Sequence, residues 1–221
     1  PGLNDPIASR EERTRQLLKY CHAIFIISPA GQFLSAQDQD LMGSISSKQG
    51  VREIYVIPSK VDNELYASEK EEAGGDLQLA LKNIDYKLAD HMCATLKKIK
   101  EQYQINVFDR LIEQGENNVL HSSGISVTLS NHFDKRENWD KTAKHVWGNL
   151  TKHYPSYFSD SDKDLSIANL NLLSNIPEIE NRLEEVKTKK DELLDQQVQN
   201  QIDSSFNALI DYRKALINFA N

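Results

Sequence analysis

Two short stretches carry residue types that could do chemistry. The first is Ser59-Lys60-Val61-Asp62, which closes the apolar run Ile54-Tyr55-Val56-Ile57-Pro58. A carboxylate placed like Asp62 can accept from the N1–H and the exocyclic amine of guanine together, and it rejects adenine, whose edge offers a different donor pattern. The stem of Lys60 can lie over a purine face. The second is Pro1-Gly2-Leu3. A glycine there leaves its backbone N–H open to a ligand with no side chain in the way. Taken alone, Pro-Gly is a turn and Lys-x-Asp recurs by chance. What raises Ser59–Asp62 above chance is its position at the C-terminal end of an expected parallel strand, where open α/β sheets bind ligands.

The elements that must position these residues alternate strand and helix. Ser9-Arg10-Glu11-Glu12 has the form of a capping box and predicts a helix from about Arg10 to Tyr20. Ala23–Ile27 is apolar throughout and reads as a strand buried on both faces. Ser35–Asp38 starts a second helix with Leu41, Met42 and Ile45 inward, and Gly50 closes it. Arg52–Ile57 is the next strand, stopped by Pro58, and residues 63–75 read as a polar loop. From Asp76 to about Tyr103, Leu77, Leu81, Ile84, Leu88, Met92, Leu96 and Ile99 recur every three or four residues, which is one long amphipathic helix. Asn118–Ser123 reads as a third strand. Asp134–Glu137 reads as the start of a helix carrying Trp139, Val146, Trp147 and Leu150 on one face.

Strand–helix–strand–helix–strand implies parallel pairing and an α/β fold. Three strands leave an open edge, so further strands are expected upstream. After Tyr157 the polar stretch Ser159–Asp164 forms a link, and from Pro177 to Asn221 there is no glycine and no further proline. Ile179, Leu183, Val186, Val198, Ile202, Phe206, Leu209 and Leu216 keep a helical spacing there. An unbroken helix over that stretch would be roughly 65 Å long, and its stripe asks for partner helices in a bundle or coiled coil. The expected domains are therefore 1–158, α/β, and 159–221, a helical segment.

Charge and composition exclude several classes. A net charge of −7 over 221 residues lacks the basic footprint of nucleic-acid binding. Two cysteines, Cys21 and Cys93, lie far apart with no CxxC, against a disulfide framework or a zinc site. No apolar run reaches the ~18 residues of a membrane span, and a reducing, cytoplasmic setting is the expectation. Asp160, Asp162 and Asp164 begin like a calcium loop, but Leu165 stands at the required glycine and Asn171 at the closing glutamate. His91 and Cys93 have no further ligands nearby in sequence. Trp139 and Trp147, eight apart, read as packing.

Pro1-Gly2-Leu3-Asn4-Asp5, then Tyr20–Ile27, then Leu34-Ser35 with its capped helix, then Ser59-Lys60-Val61-Asp62, resemble in order the motifs of bacterial dynamin-like GTPases of the LeoA type. Pro-Gly-Leu is similar to the tail of that family's Asp-x-Pro-Gly switch motif. The resemblance covers residues 1–130 or so. It implies the C-terminal part of a P-loop GTPase parallel sheet followed by a helical neck or stalk. It also implies Gly2 at the γ-phosphate, Ser59, Lys60 and Asp62 on guanine, and the Ser123-Gly124 loop at guanine O6 through backbone N–H. Ser59 stands where the family has Asn or Thr. No GxxxxGK[ST] occurs in the 221 residues, so the phosphate loop and the Mg²⁺ ligands are expected upstream, and this chain alone is expected not to hydrolyse GTP. The implied whole protein binds GTP or GDP with Mg²⁺, pairs with the upstream part of its GTPase domain and with further stalk helices, and self-associates. It would act in membrane remodelling or secretion, as a cytoplasmic or peripheral membrane protein. A non-catalytic α/β scaffold with a coiled-coil arm is the alternative.

Overall fold

The computed structural model describes residues 21, 23–46, 53–66, 68–103 and 108–189, and from there to 213 residues 191, 195, 198–199, 202–203, 205–210 and 212–213. Gly2 with the rest of the Pro1–Asp5 motif, the expected helix at 10–20, and Gly50 lie outside the described residues.

Two strands pair in parallel: β1 (Ala23–Pro29) and β2 (Glu53–Ser59), with Ala23 opposite Glu53 and Pro29 opposite Ser59. Helix α1 (Ala36–Ser46) connects them. Its start is a reciprocal cap. The Ser35 N–H donates to Asp38 Oδ2 at 3.0 Å and the Asp38 N–H to Ser35 Oγ at 3.4 Å, which satisfies donors that a helix start leaves open. β2 lies between β1 and a single parallel bridge from Val56 to Val119, so residues 53–58 are all buried.

β1 departs from the expectation of burial on both faces. Ile24, Ile26 and Ser28 are buried, whereas Ile27 is 65% exposed, because alternate residues of a strand point to opposite faces. Pro58 does not stop β2 but lies inside it, and its carbonyl accepts the Ser122 N–H at 2.7 Å.

The expected strand at Asn118–Ser123 is reduced to the bridge at Val119. The chain leaves a 3-10 turn over Gly115–Asn118 and enters helix α5 (Gly124–Asn131) after Ser123, so little extended chain remains to pair. The stretch read as a loop at 63–75 is mostly helical: a 3-10 helix at Val61–Leu65, then helix α2 (Ser68–Glu72). Asn63, Ser68, Glu71 and Glu72 lie outward, while Val61, Asp62, Leu65, Glu69 and Ala73 are buried.

Helix α3 (Leu77–Tyr103) has the expected extent and joins two cores. Leu77, Ala80, Leu81 and Ile84 pack with Val61, Leu65 and Leu129. Ala89, Met92, Leu96 and Ile99 pack beneath the sheet with Ile24, Ile26, Ile54 and Val56. Helix α4 (Asp109–Gln114) adds Leu111 to the second core.

Asp134–Glu137, read as a helix start, lies in a 3-10 segment (Phe133–Asn138), and Trp139 leaves it in extended backbone. Helix α6 (Lys141–His153) begins only after Asp140, whose carboxylate accepts the Ala143 N–H at 2.7 Å. Trp139 thus precedes the helix instead of sharing its face with Trp147, yet the two rings meet at 5.8 Å in the first core.

Helix α7 (Lys163–Ser174) is capped by Asp162, so the aspartate-rich stretch is a helix start. Leu170 and Leu173 of α7 are buried in the same core as Trp147. The first compact unit accordingly extends through Asn181, past the expected boundary at 158, and the second is Arg182–Asn221. Helix α8 (Ile176–Thr188) carries Pro177 in its first turn, as expected. The described residues of the second unit are helical apart from a turn at Lys189, and none is buried; Val198, Ile202, Phe206, Leu209 and Tyr212 are each more than half exposed. No described helix is long and apolar enough to cross a membrane.

Candidate functional site

The site is built at the C-terminal end of β2. Ser59 ends the strand, half-buried, and Lys60 turns the chain through left-handed backbone, φ 58° and ψ 34°. A non-glycine residue adopts that conformation at a cost of roughly 1–2 kcal/mol, and such strain gathers at functional sites. The turn leaves Lys60 exposed and sends Val61 and Asp62 inward; Asp62 is 4% exposed.

A second segment is held against this turn. The Ser122 N–H donates to Pro58 O, and the Val61 N–H donates to Ser122 O at 3.2 Å. Ser123 then caps α5, and its hydroxyl donates to Asp62 Oδ1 at 2.6 Å. Residues 61 positions apart in sequence thereby share one short, buried hydrogen bond. A bond from a neutral hydroxyl to a charged acceptor contributes about 1.5–3 kcal/mol and fixes the carboxylate's direction. Gly124 is exposed, and a Cβ there would meet nothing within 4 Å. The start of α5 is therefore open whatever side chain stands at 124, and the first N–H groups of a helix have no intrahelical partner.

Of the residues expected on a ligand, the structure brings together Lys60, Asp62, Ser123 and Gly124, with Ser59 directly before the turn. Gly2 lies outside the described residues. Two features of the site escaped sequence reasoning. Ser126, one turn into α5, donates its hydroxyl to Ser123 Oγ at 2.9 Å. His121 is tethered to two helices: Nδ1 lies 2.8 Å from Asp85 Oδ2 on α3, and Nε2 lies 3.4 Å from Leu172 O on α7. The spacing of Ser123 and Ser126 is that of a capping serine and its third helical residue, a signal legible only once the helix start is recognised.

Beneath Asp62 is an aromatic floor. Tyr66 has its phenol pushed far above the usual range, by burial first, then by the charge of Asp62 and by Tyr154. Tyr154 donates to Leu65 O at 2.7 Å, and its phenol is pushed up to about 12 by burial and by Glu69. Both phenols therefore stay neutral. Glu69 is answered by the ammonium of Lys87, which also bonds Glu72 at 2.9 Å.

The ring of His153 lies 5.3 Å from Tyr66. Burial, then the ammonium groups of Lys70 and Lys152, hold its pKa below the ordinary value. The unfolded chain takes up this proton near pH ~6.5 while the folded chain resists it. Stability is thus fully present above that pH and falls as pH drops toward the depressed folded value. Urea midpoints measured at pH 7.5 and 5.5 should separate by less in His153→Gln than in the parent chain, and equal separation would contradict the assignment.

Among the described residues, no group of three or more His, Cys, Asp or Glu side chains could hold a metal ion. Comparison of the chain with protein-family models, with curated proteins and with solved structures found no match.

Proposed function

We propose that this chain forms the base-reading part of a guanine-nucleotide site, within a GTPase of the dynamin-like kind that its motif order resembles. The observation that carries the reading is the Ser123–Asp62 hydrogen bond, which joins the two segments expected on guanine at the C-terminal end of a parallel strand.

Each residue then has a role. Asp62 accepts from the N1–H and the exocyclic amine of the base. Lys60, exposed beside it, lays its methylene stem along the purine face. Backbone N–H groups at Gly124 and the start of α5 face O6. Ser59 ends the strand before the turn and offers a hydroxyl to the same site. The ligand is GTP or GDP. Magnesium and the phosphates would be held by groups other than Ser59–Asp62 and Ser123-Gly124. These would supply charge neutralisation at the transferring phosphoryl group.

The test is calorimetry of the full-length protein with GDP and Mg²⁺. A saturable signal for GDP with none for ADP is expected, and no saturable signal for either sinks the reading.

A second reading draws on the C-terminal unit, whose exposed apolar residues suit an interaction arm, in a stalk or in a scaffold without nucleotide. Charging the stripe with Phe206→Asp and Leu209→Asp should lower the mass of the full-length protein in sedimentation. An unchanged mass counts against the arm as a site of self-association.

A further inference from the structure

We infer that Ser126 is a positioning residue that sets how sharply the site tells guanine from bases lacking the exocyclic amine; the inference rests on the guanine reading above. Ser123 Oγ receives two donors from Ser126. The Ser126 hydroxyl lies at 2.9 Å and the Ser126 backbone N–H at 3.4 Å. A serine hydroxyl has one proton to give and two lone pairs to accept with. With both acceptor positions filled, the Ser123 proton is left to Asp62 Oδ1 at 2.6 Å. The chain of hydroxyls therefore has one polarity, Ser126 to Ser123 to Asp62.

Its burial makes that polarity hold. Ser123 and Ser126 are fully buried and Asp62 is 4% exposed, so bulk water does not compete for the relay, and serial hydrogen bonds strengthen one another. Because the relay ends on the carboxylate as an acceptor, Asp62 is kept an acceptor-only group. The ligand edge it suits presents two adjacent N–H donors. Guanine has both; hypoxanthine keeps N1–H and lacks the amine. A carboxylate free to pivot can still take one donor well, but aligns poorly with two. Ser126 should thus govern the second bond, the one that distinguishes the two bases.

The experiment measures GDP and IDP dissociation constants by calorimetry, with Mg²⁺, on the full-length protein and on Ser126→Ala and Ser126→Cys. The cysteine variant retains bulk while giving up the strong O–H donor. The expected result is a fall of about fivefold in the GDP-over-IDP preference in both variants, on the scale of one net hydrogen bond. A general loosening of the fold would weaken GDP and IDP alike and leave the ratio unchanged. An unchanged ratio in variants that still bind GDP overturns the positioning role while leaving the guanine site intact. A parent protein that binds neither nucleotide overturns the site itself, and this role with it.

Discussion

If Asp62 reads guanine as proposed, Asp62→Asn should convert the protein to a xanthine nucleotide binder. The carboxylate offers two acceptors to the N1–H and the amine of guanine. The amide offers one acceptor and one donor, which suits the N1–H and the C2 carbonyl of xanthine. The structure also says which way the amide will face. Ser123 donates to Oδ1 at 2.6 Å, and only the oxygen of the new side chain can take that bond, so the NH₂ is directed to the other position. Replacing one charge-assisted bond with a donor–donor clash, at roughly 1.5–3 kcal/mol for the bond and a similar desolvation penalty, changes the GDP-to-XDP ratio by about 10²–10⁴-fold. The measurement is competitive binding of XDP against GDP in the full-length protein. Retained guanine preference with intact affinity would remove Asp62 from the base site.

The largest effect on stability is expected from Trp147→Ala. Trp147 is buried at the centre of an aromatic group, edge-on to Phe133 at 5.2 Å, to Trp139 at 5.8 Å and to Phe158 at 6.1 Å. Its indole N–H donates to Asp160 Oδ1 at 3.0 Å, and Asp160 also pairs with Arg136. Truncation leaves a cavity whose walls come from three separate segments, at 133, 139 and 158, which cannot all close on it. The cost for a buried tryptophan is about 3–5 kcal/mol, a large share of the ~5–15 kcal/mol that holds a domain folded. Urea denaturation of Trp147→Ala should show that loss, with Trp147→Phe recovering part of it. A loss under ~1 kcal/mol would mean that the first core does not depend on this cluster.

Both predictions turn on contacts that sequence reading reaches unequally. The apolar period of Leu77 to Ile99 identified α3 because a long stripe has one solution. Ala23–Ile27 and Ile54–Ile57 were legible as strands for their continuous apolar, β-branched character. Trp147 was legible as packing. The exposure of one face of β1 was not, since an apolar residue such as Ile27 reads the same whether or not anything covers it. The 3-10 helix at Val61–Leu65 and helix α2 were hidden by their polar residues. Helix α5 was hidden by Asn118–Ser123, a stretch whose short apolar Val119-Leu120 reads as a strand until the Ser123 cap is seen. The extent of the first unit through Asn181 was hidden too: the polar link at Ser159–Asp164 marks a helix cap, not a domain edge.

The sequence by itself determined the long helix, the parallel α/β character and the residue types gathered at Ser59-Lys60-Val61-Asp62, because local period and residue type carry those. Only the tertiary structure decided that Asp62 meets Ser123, that Ser126 stands behind both, and that α7 belongs to the same core as Trp147. Each of those depends on where a chain returns after tens of residues, and that is settled by the joint packing of α3, α5 and α7 in the first core, not by any stretch of sequence alone.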